Sequence, residues 1–592
     1  GLSTEAQGQM LSTTLGQGRH HSLLAAVYML RSDATLVVRN AAVHIWKTVV
    51  ANTPKTLKLI LPLLMQRVIG TMSCGSEERQ QTASRCLGEI VRKLGERVLA
   101  AVLPILNEGL DSDMVEHREG VALGLAEVLA AATDNQLESY YGTIIPTVRD
   151  ALCDDEELVR NAAGLAFDRL FQHGGGEAAG RIVPALLEDL NDNPNALEGL
   201  KQVLKAQPKI LATVLPNLAQ PPLTTSGART LGALAEVAGS ALPPHLPLLI
   251  PPLLEAMAED DEESVAAASS AALSVISSVP ENSSHLLLVE IKQGMTHEYA
   301  GCRAAAAKLA GYYAKNAPGF DDESETEVII KKLFELFTDG DEAVLLAAWT
   351  AMGDVTGTIS RQELPEYVGC VTKSLNLARD KVYRLNKTAH EILVPALCLP
   401  KGLAPIVQVF LQGVLAAESS DAREAAARGL TLAVSSTTPA SLKAHVIAIT
   451  GPLIRVVGDK HPSAVKGAIL ESLSALINKG GIALKPFVPQ LQTTFVKCLS
   501  DVHMSVRMKA ATAIGLLMAL QTRVDALIND LITTVEADST ELGVRESTLK
   551  AIAGVIAYGG KNITPPNITR AVESAMESLS SSSEGERKCA SL

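Results

Sequence analysis

The sequence has 592 residues, of which 47% are hydrophobic but only 3% aromatic, and its formal net charge is −13. So acidic a chain is not expected to bind nucleic acid over its whole length, although it can carry local basic patches. Its eight cysteines are scattered without a C-x-x-C pair, so the sequence suggests neither a zinc site nor a disulfide framework. No apolar run reaches the roughly 18 residues of a membrane helix. Because the first residue is Gly1, we expect the chain to be part of a longer protein.

Three stretches share one pattern, in which an acidic turn is followed by a Val-Arg pair and an Ala-rich apolar run. In each stretch an Asp precedes the Arg by six residues, and the pairs are Asp33 and Arg39, Asp154 and Arg160, and Asp501 and Arg507. An Asp in such a turn can cap the following helix, whose N-terminus also favours negative charge. The Arg, one turn into that helix, can pair with an Asp of its own or of a neighbouring repeat. We therefore interpret these residues as a structural ladder.

The pattern recurs along the chain. Arg-like positions fall near 39, 79, 118, 160, 199, 229, 266, 303, 345, 384, 423, 466, 507 and 545. Prolines that would bend an upstream helix lie fourteen residues before four of these positions, at Pro104, Pro146, Pro252 and Pro452. No segment alternates with period two, as a strand would. The sequence therefore predicts an all-α fold, a HEAT-repeat α-solenoid built from helix pairs about 40 residues apart.

Four consecutive acids, Asp154 to Glu157, could also suggest a metal or acid–base site. No His and no second acidic cluster is near in sequence, and a recurring pattern argues against a unique site. Catalytic motifs are missing as well. There is no G-x-S-x-G, G-x-G-x-x-G or H-E-x-x-H, and GVIAYGGKN (554–562) lacks the spacing and the Ser/Thr of a phosphate loop. We expect neither an enzyme nor a cofactor.

The array is irregular in three places. HGGGEAAGRIVP (173–184) has three glycines that interrupt a helix, and nine prolines follow between Pro208 and Pro252, so this region is either a degenerate repeat or a partner site. RDKVYRLNKTAHEI (379–392) is read as a basic helix start that faces either solvent or an acidic partner. The Ser-rich tail 576–592 is predicted to be disordered. The resulting division is HEAT repeats over 1–175, irregular repeats over 176–330, HEAT repeats over 331–575, and the tail.

Three longer segments closely resemble the C-terminal part of the Gcn-one family of translational activators. They are LVVRNAAVHIWKTVVANTPKTLKLILPLLMQRVIG (36–70), CGSEERQQTASRCLGEIVRKLGERVL (74–99) and DDEELVRNAAGLAFDRLFQHGGGEAAGRIVPALL (154–187). The similarity extends over the whole chain, to EGERKCASL (584–592) at its end.

The resemblance implies a non-catalytic, ribosome-associated scaffold. Such proteins activate the kinase that phosphorylates the alpha subunit of translation initiation factor two during amino-acid starvation and ribosome stalling. One of their segments binds the RWD domain of that kinase through basic residues, and by position it corresponds to 180–330 here. The candidate contacts are Arg181, Arg229 and Arg303. Arg181 stands outside the ladder spacing, whereas Arg229 and Arg303 also fit the ladder.

The resemblance further implies a cytoplasmic protein whose partners are the RWD domain and, through the longer protein, the ribosome. It implies no membrane partner and no specific nucleic-acid binding by this segment. The repeat pattern alone leaves two alternatives. One is a HEAT scaffold for nuclear transport or for a phosphatase. The other is a regulatory arm of an ATPase whose nucleotide site lies elsewhere.

Overall fold

A computed structural model describes the chain over residues 3–317, 323–387, 390–458, 461–537 and 539–592. In these ranges the chain is all-α, without a β-strand, and none of their helices is long and apolar enough to cross a membrane. The predicted all-α HEAT-repeat α-solenoid is confirmed. The helices form two compact units, which comprise residues 1–253 with 266–278 and residues 254–265 with 279–592.

The first unit holds the helices of the N-terminal part of the chain. They are α1 (Thr4–Leu15), α2 (Gln17–Leu30), α3 (Leu36–Val49), α4 (Thr53–Met72), α5 (Glu77–Leu94), α6 (Glu96–Gly109), α7 (Val115–Ala131), α8 (Asp134–Glu138), α9 (Tyr141–Leu152), α10 (Glu157–Glu188), α11 (Ala196–Ala206), α12 (Leu211–Leu218) and α13 (Thr225–Ala238). The residues of α14 (Leu246–Ala256) and α15 (Glu262–Ser278) are shared out between the two units.

The second unit holds the remaining helices. They are α16 (Ser284–Gly294), α17 (Ala300–Asn316), α18 (Glu323–Leu336), α19 (Glu342–Thr358), α20 (Val368–Leu385), α21 (Ala404–Ala416), α22 (Ser420–Ser435), α23 (Pro439–Leu442), α24 (Val446–Val457), α25 (Ser463–Gly480), α26 (Val488–Cys498), α27 (Met504–Leu517), α28 (Asp525–Glu536), α29 (Leu542–Gly559), α30 (Pro565–Ser578) and α31 (Glu584–Ala590). Short 3-10 turns extend or connect several helices, for example Leu364–Tyr367, Pro395–Cys398 and Gly481–Phe487.

Small residues allow the second helices of successive repeats to lie close together. Three such pairs pack against each other, namely α7 with α10, α17 with α19 and α27 with α29. Ala and Gly recur on their buried faces beside larger apolar residues, and Ala predominates on α17. At the closest approach of α27 and α29, a Cβ added to Gly515 would lie 2.9 Å from the Cα atom of Gly554. The Ala-rich, aromatic-poor composition therefore reflects close helix packing, as the sequence indicates.

Local signals mark several helix starts and one interruption, but the ladder aspartates are not the helix caps that the sequence predicted, because α3, α10 and α27 begin without a side-chain cap bond. Side chains of Asn52, Thr224 and Ser419 accept hydrogen bonds from backbone N–H groups three residues later, at the starts of α4, α13 and α22. The prolines of the upstream helices lie inside α6, α9, α14 and α24. The glycine run bends α10 at Gly175, whose φ of 45° and ψ of −118° are not helical.

The repeat predicted around position 384 is wrong. Arg384 does not lie in a second helix but near the end of α20, and 379–392 contains a helix end, not a helix start. An irregular stretch, 386–403, takes the place of the missing helix, with Thr388 and Ala389 outside the described residues. Distant backbone groups hold this stretch. The N–H of Val394 donates to the carbonyl of Ser436 at 2.9 Å, and that of Ala396 to Phe337 at 3.1 Å.

The prediction of a disordered tail is also wrong. Residues 584–590 form α31, which packs against α29 and α30. Ser583 caps α31 by accepting a hydrogen bond from the N–H of Glu586 at 3.3 Å, and its hydroxyl donates to Glu546 of α29 at 2.9 Å. Glu586, 3% exposed, accepts a short hydrogen bond from Ser581. These tertiary contacts order a segment whose composition alone favours disorder.

The thiol of Cys589 reports whether α31 stays docked. It is 7% exposed, and burial raises its pKa, so alkylation requires α31 to open. We expect Glu586→Ala to raise the alkylation rate of Cys589 about tenfold, because losing a charged hydrogen bond in a buried site costs about 1.5 kcal/mol. Peptide mass spectrometry after timed alkylation measures this rate. Glu584→Ala, on the exposed side of α31, is the control, and equal rates in the two variants would contradict the role given to Glu586.

Candidate functional site

The six-residue spacing of the ladder arises from a hydrogen bond within each repeat. The Nη1 atom of Arg39 donates to the backbone carbonyl of Asp33 at 3.1 Å. The same bond joins Arg160 to Asp154 at 2.7 Å and Arg507 to Asp501 at 2.9 Å. Within a repeat, therefore, the Arg binds the carbonyl of the Asp and not its carboxylate.

Each ladder Asp uses its carboxylate first to shape its own turn. Oδ1 of Asp33 accepts a hydrogen bond from the N–H of Thr35 at 2.8 Å, two residues later. Asp154 and Asp501 accept the same bond, at 2.9 Å, from the residues two positions after them. This geometry is an Asx turn, which explains why an acid or a similar acceptor recurs before the second helix.

Between repeats, the carboxylate pairs with the cation of the preceding repeat. Arg118 binds Asp154 through two hydrogen bonds, of 2.8 and 3.1 Å, and Arg303 binds Asp339 in the same way with two of 2.9 Å. Lys466 donates to Asp501 at 3.0 Å. From the sequence alone, the partner could belong to the same or to the neighbouring repeat. The structure shows that the carboxylates contact the neighbouring one.

These inter-repeat pairs are shielded, and their charges are mutually stabilised. The Arg118 and Asp154 side chains are only 14% and 11% exposed. The hydrogen bond to Asp154 raises the pKa of Arg118, and that to Asp339 raises the pKa of Arg303. Burial alone would raise the pKa of Asp339, but hydrogen bonds from Arg303 and from the backbone outweigh it, and the pKa is lowered.

The ladder is interrupted just before the glycine bend. Nε of Arg160 is buried and has no hydrogen-bond partner, because the next repeat has Asn193 at the position that Asp154, Asp339 and Asp501 occupy in the inter-repeat pairs. Asn193 still forms the turn, by accepting from the N–H of Asn195 at 2.9 Å, but it supplies no carboxylate. Asp155 instead accepts a hydrogen bond from the side chain of Asn195 at 2.7 Å. The irregular region predicted after 175 therefore follows a missing inter-repeat contact.

The acids at 154–157 have structural roles in this arrangement. Asp154 pairs with Arg118, Asp155 binds Asn195, and Glu156 and Glu157 lie at the start of α10. No group of three or more His, Cys, Asp or Glu residues that could hold a metal ion occurs in the described ranges. The ladder interpretation accounts for all four acids.

The three candidate contact residues lie in different settings. Arg181 is on α10, six residues after the bend, and its side chain is 55% exposed. It donates to Glu177, which is 52% exposed, at 2.7 Å. Arg229 is exposed on the second turn of α13. Arg303 is largely enclosed by its bonds to Asp339 and to the carbonyls of His297 and Glu298. Compared with Arg303, Arg181 has an exposed guanidinium that is paired with an equally exposed neighbour.

The Asp-based pattern leaves out three turn positions at which another residue takes the place of Asp. Ser112, His297 and Ser581 occupy the turn position in their repeats and accept from the N–H two residues later. The corresponding Arg, six residues on, donates to the backbone carbonyl of each. The spacing itself was the available signal, since Ser581 precedes Arg587 by six residues as Asp33 precedes Arg39.

Comparison with known proteins places these repeats in a family. A family model described as "Stalled ribosome sensor GCN1-like, HEAT repeats" matches residues 210–401. The chain is 45% identical over 569 residues to Protein ILITYHIA of Arabidopsis thaliana, and 37% identical over 569 residues to Stalled ribosome sensor GCN1 of Homo sapiens. Each alignment covers 95% of this chain and 21% of the relative.

A yeast relative and a solved structure extend the comparison. The chain is 33% identical over 585 residues to the eIF-2-alpha kinase activator GCN1 of Saccharomyces cerevisiae, covering 97% of this chain and 21% of that protein. A crystal structure of importin beta aligns with 98% of this chain and 80% of its own, at 12% identity and a TM-score of 0.28, which supports no further argument. The chain thus spans about a fifth of the length of the curated relatives it matches. By these matches, and by its ladder of helix pairs, the chain belongs to the GCN1-like family of HEAT-repeat proteins.

Proposed function

We propose that this chain is a non-catalytic scaffold segment that binds the RWD domain of the kinase for the alpha subunit of translation initiation factor two. It promotes activation of that kinase on stalled ribosomes during amino-acid starvation. The observation that carries the proposal is the 33% identity, over 97% of the chain, to a protein named as an eIF-2-alpha kinase activator. The human relative, named as a stalled ribosome sensor, supports the ribosomal setting and a cytoplasmic location.

Such a segment acts by binding and placement. Tethering the kinase to a ribosome-bound protein raises the effective concentration of the two partners and needs no chemistry in the scaffold itself. The proposed contact region, 176–330, overlaps the family match over 210–330. Within it, Arg181 follows the bend in α10 and is the exposed cation that we assign to an acidic surface of the RWD domain.

The geometry of Arg181 suits such a contact. Its partner Glu177 lies one turn away on the same exposed helix face. An i,i+4 pair of this kind contributes only about 0.5 kcal/mol, so Arg181 can exchange Glu177 for a partner carboxylate at small cost. Arg303 is unsuited to this role, because its guanidinium holds Asp339 of the next repeat. Its removal would weaken the fold before it weakened a contact.

Titration of the full chain against the isolated RWD domain, at low and moderate salt, tests the proposal. We expect Arg181→Ala to weaken binding about tenfold, as for a charged residue near the centre of an interface. Arg428→Ala is the matched control, because Arg428 also pairs with an acid one turn away, Glu424, and is 65% exposed. The Arg428→Ala variant should bind the RWD domain with the same affinity as the unmodified chain.

The possible results distinguish the role of Arg181 from the scaffold function of the chain. If Arg181→Ala and Arg428→Ala bind equally well, Arg181 is not part of the contact, whereas the scaffold function stands. If the unmodified chain does not bind the RWD domain even at low salt, the proposed function itself is contradicted. Weaker binding at higher salt is expected in every variant, because the proposed contact is electrostatic.

A further inference from the structure

A basic face runs from Lys373, in the first half of α20, to Lys387, just beyond the end of that helix, and lies outside the proposed kinase-contact region. It consists of Lys373, Lys381, Tyr383, Arg384 and Lys387, and all five side chains are exposed. Lys373, Lys381 and Arg384 follow one another at helical spacing, so they form a single stripe. At 1.5 Å per residue, this stripe is about 16 Å long. We call these five residues the α20 basic face.

The charge of this face is not neutralised by neighbours. Residues 368–387 contain five cations and a single acid, Asp380, in a chain whose net charge is −13. In the part of the chain that the structure describes, no carboxylate pairs with Lys373, Arg384 or Lys387. Lys381 makes only a long contact, of 3.4 Å, with the carbonyl of Glu335. Five cations against one acid therefore make this segment locally basic within an acidic chain.

The helix that carries most of this face, α20, is firmly packed on its other side. On its opposite side α20 buries Val371, Leu375 and Ala378 and packs against α18 and α22. Arg379, the fifth cation, points inward and donates to the hydroxyl of Ser436 at 2.6 Å. The missing second helix of this repeat leaves the end of α20 uncovered. The helix therefore fixes the backbone positions of Lys373, Lys381 and Arg384, which reduces the ordering cost of binding.

We propose that the α20 basic face binds the phosphate backbone of RNA without reading its sequence. A row of cations along a helix matches a chain of phosphates. Tyr383, which is 50% exposed, and the planar guanidinium of Arg384 supply surfaces on which unpaired bases can stack. An acidic protein could also bind the cations, but it would have no specific use for an exposed aromatic ring beside them. RNA is therefore the ligand that accounts for both features. Contacts with phosphates do not distinguish one base sequence from another. The proposal therefore agrees with the expectation that this segment binds no specific nucleic-acid sequence. It is independent of the kinase contact.

Fluorescence anisotropy with the full chain and a labelled oligouridine of about 12 nucleotides tests this assignment. We expect the double reversal Lys381→Glu/Arg384→Glu to weaken binding at least tenfold. The slope of log K against log salt should fall by about 1.4, for two lost contacts with single-stranded phosphates. The matched control is Lys55→Glu/Lys58→Glu, which reverses two exposed lysines at the same spacing on α4 and changes the net charge equally. It should reduce binding only slightly.

Two further variants separate stacking from charge. Tyr383→Ala should weaken binding several-fold, whereas Tyr383→Phe, which keeps the ring, should not. Circular dichroism of each variant checks that the helices are intact. Equal RNA affinities of the α20 and α4 reversals would overturn the proposal. It would also be overturned if poly-glutamate bound as tightly as RNA and Tyr383→Ala had no effect, since the face would then recognise acidic proteins.

Discussion

Replacing Asp154 with alanine is expected to weaken the docking of α10 on α7 by about 2–3 kcal/mol. The change removes both hydrogen bonds from Arg118 and the one from the N–H of Glu156. It leaves a guanidinium that is 14% exposed without its counter-charge. The Arg118 bond to the carbonyl of Ser112, at 2.8 Å, cannot compensate, because that carbonyl carries no net charge.

A graded series separates the charge from the turn. Asp154→Asn keeps an acceptor for the N–H of Glu156 but loses the ionic contact, so we expect about half of the effect of alanine. The matched control is Asp155→Ala. Asp155 is the adjacent acid, is exposed and accepts a hydrogen bond from Asn195, so it should cost about 0.5 kcal/mol.

Hydrogen exchange measured by mass spectrometry is the suitable readout. A chain with two compact units is not expected to unfold in a single two-state step, so a global midpoint would mix several events. Exchange in peptides from α7 and the start of α10 reports local opening. We expect faster exchange there in Asp154→Ala and unchanged exchange in α27. Indistinguishable exchange in Asp154→Ala and Asp155→Ala would show that the inter-repeat pair does not stabilise this part of the solenoid.

The period of the Arg positions could be predicted along most of the chain, but the residue that accepts in the turn could be predicted only where it is Asp. The spacing of Asp33 and Arg39 is set by a bond to a backbone carbonyl, which every residue type provides. In one repeat the carbonyl belongs to Ala417, which accepts from Arg423 at 2.9 Å. A sequence pattern that requires Asp therefore identifies the repeats in which a turn carboxylate accepts hydrogen bonds. It does not identify repeats in which another residue occupies the turn. The carboxylate partners, about 36 residues away, depend on how repeats stack, which a single repeat does not reveal.

Two other predictions, the repeat at Arg384 and the disordered tail, are wrong because long-range contacts determine the structure there. The repeat period predicts a ladder position at Arg384. Instead, backbone N–H groups of the stretch 386–403 donate to the carbonyls of Phe337 and Ser436. These partners are distant in sequence, so the local pattern does not predict them. The composition of the tail indicates disorder, whereas Glu546 on α29 supplies the acceptor for Ser583. The glycine bend was predictable because it depends on local backbone freedom at Gly175. Assignment of Arg181 to a partner stays a prediction.

Gly120→Ala is expected to have a larger effect than Asp154→Ala, about 3 kcal/mol of destabilisation. Gly120 lies on α7 where that helix meets α4, and a Cβ at this position would overlap the carbonyl oxygen and carbon of Ile69. The obstacle is backbone, which cannot change rotamer, so α4 and α7 would have to move apart. That movement would loosen the buried contacts around Ile69 and Val121, both almost fully enclosed.

The same substitution at Gly180 should act in the opposite direction. Gly180 lies within α10 on an exposed face, and a Cβ there would meet no atom within 4 Å. Alanine should therefore stabilise α10 by about 0.5–1 kcal/mol, because it restricts the unfolded chain and favours the helix. Hydrogen exchange in α4 and α7, compared between the two variants, measures the contrast. If Gly120→Ala left exchange in both helices as slow as in Gly180→Ala, close backbone contact between α4 and α7 would not be what holds these repeats together.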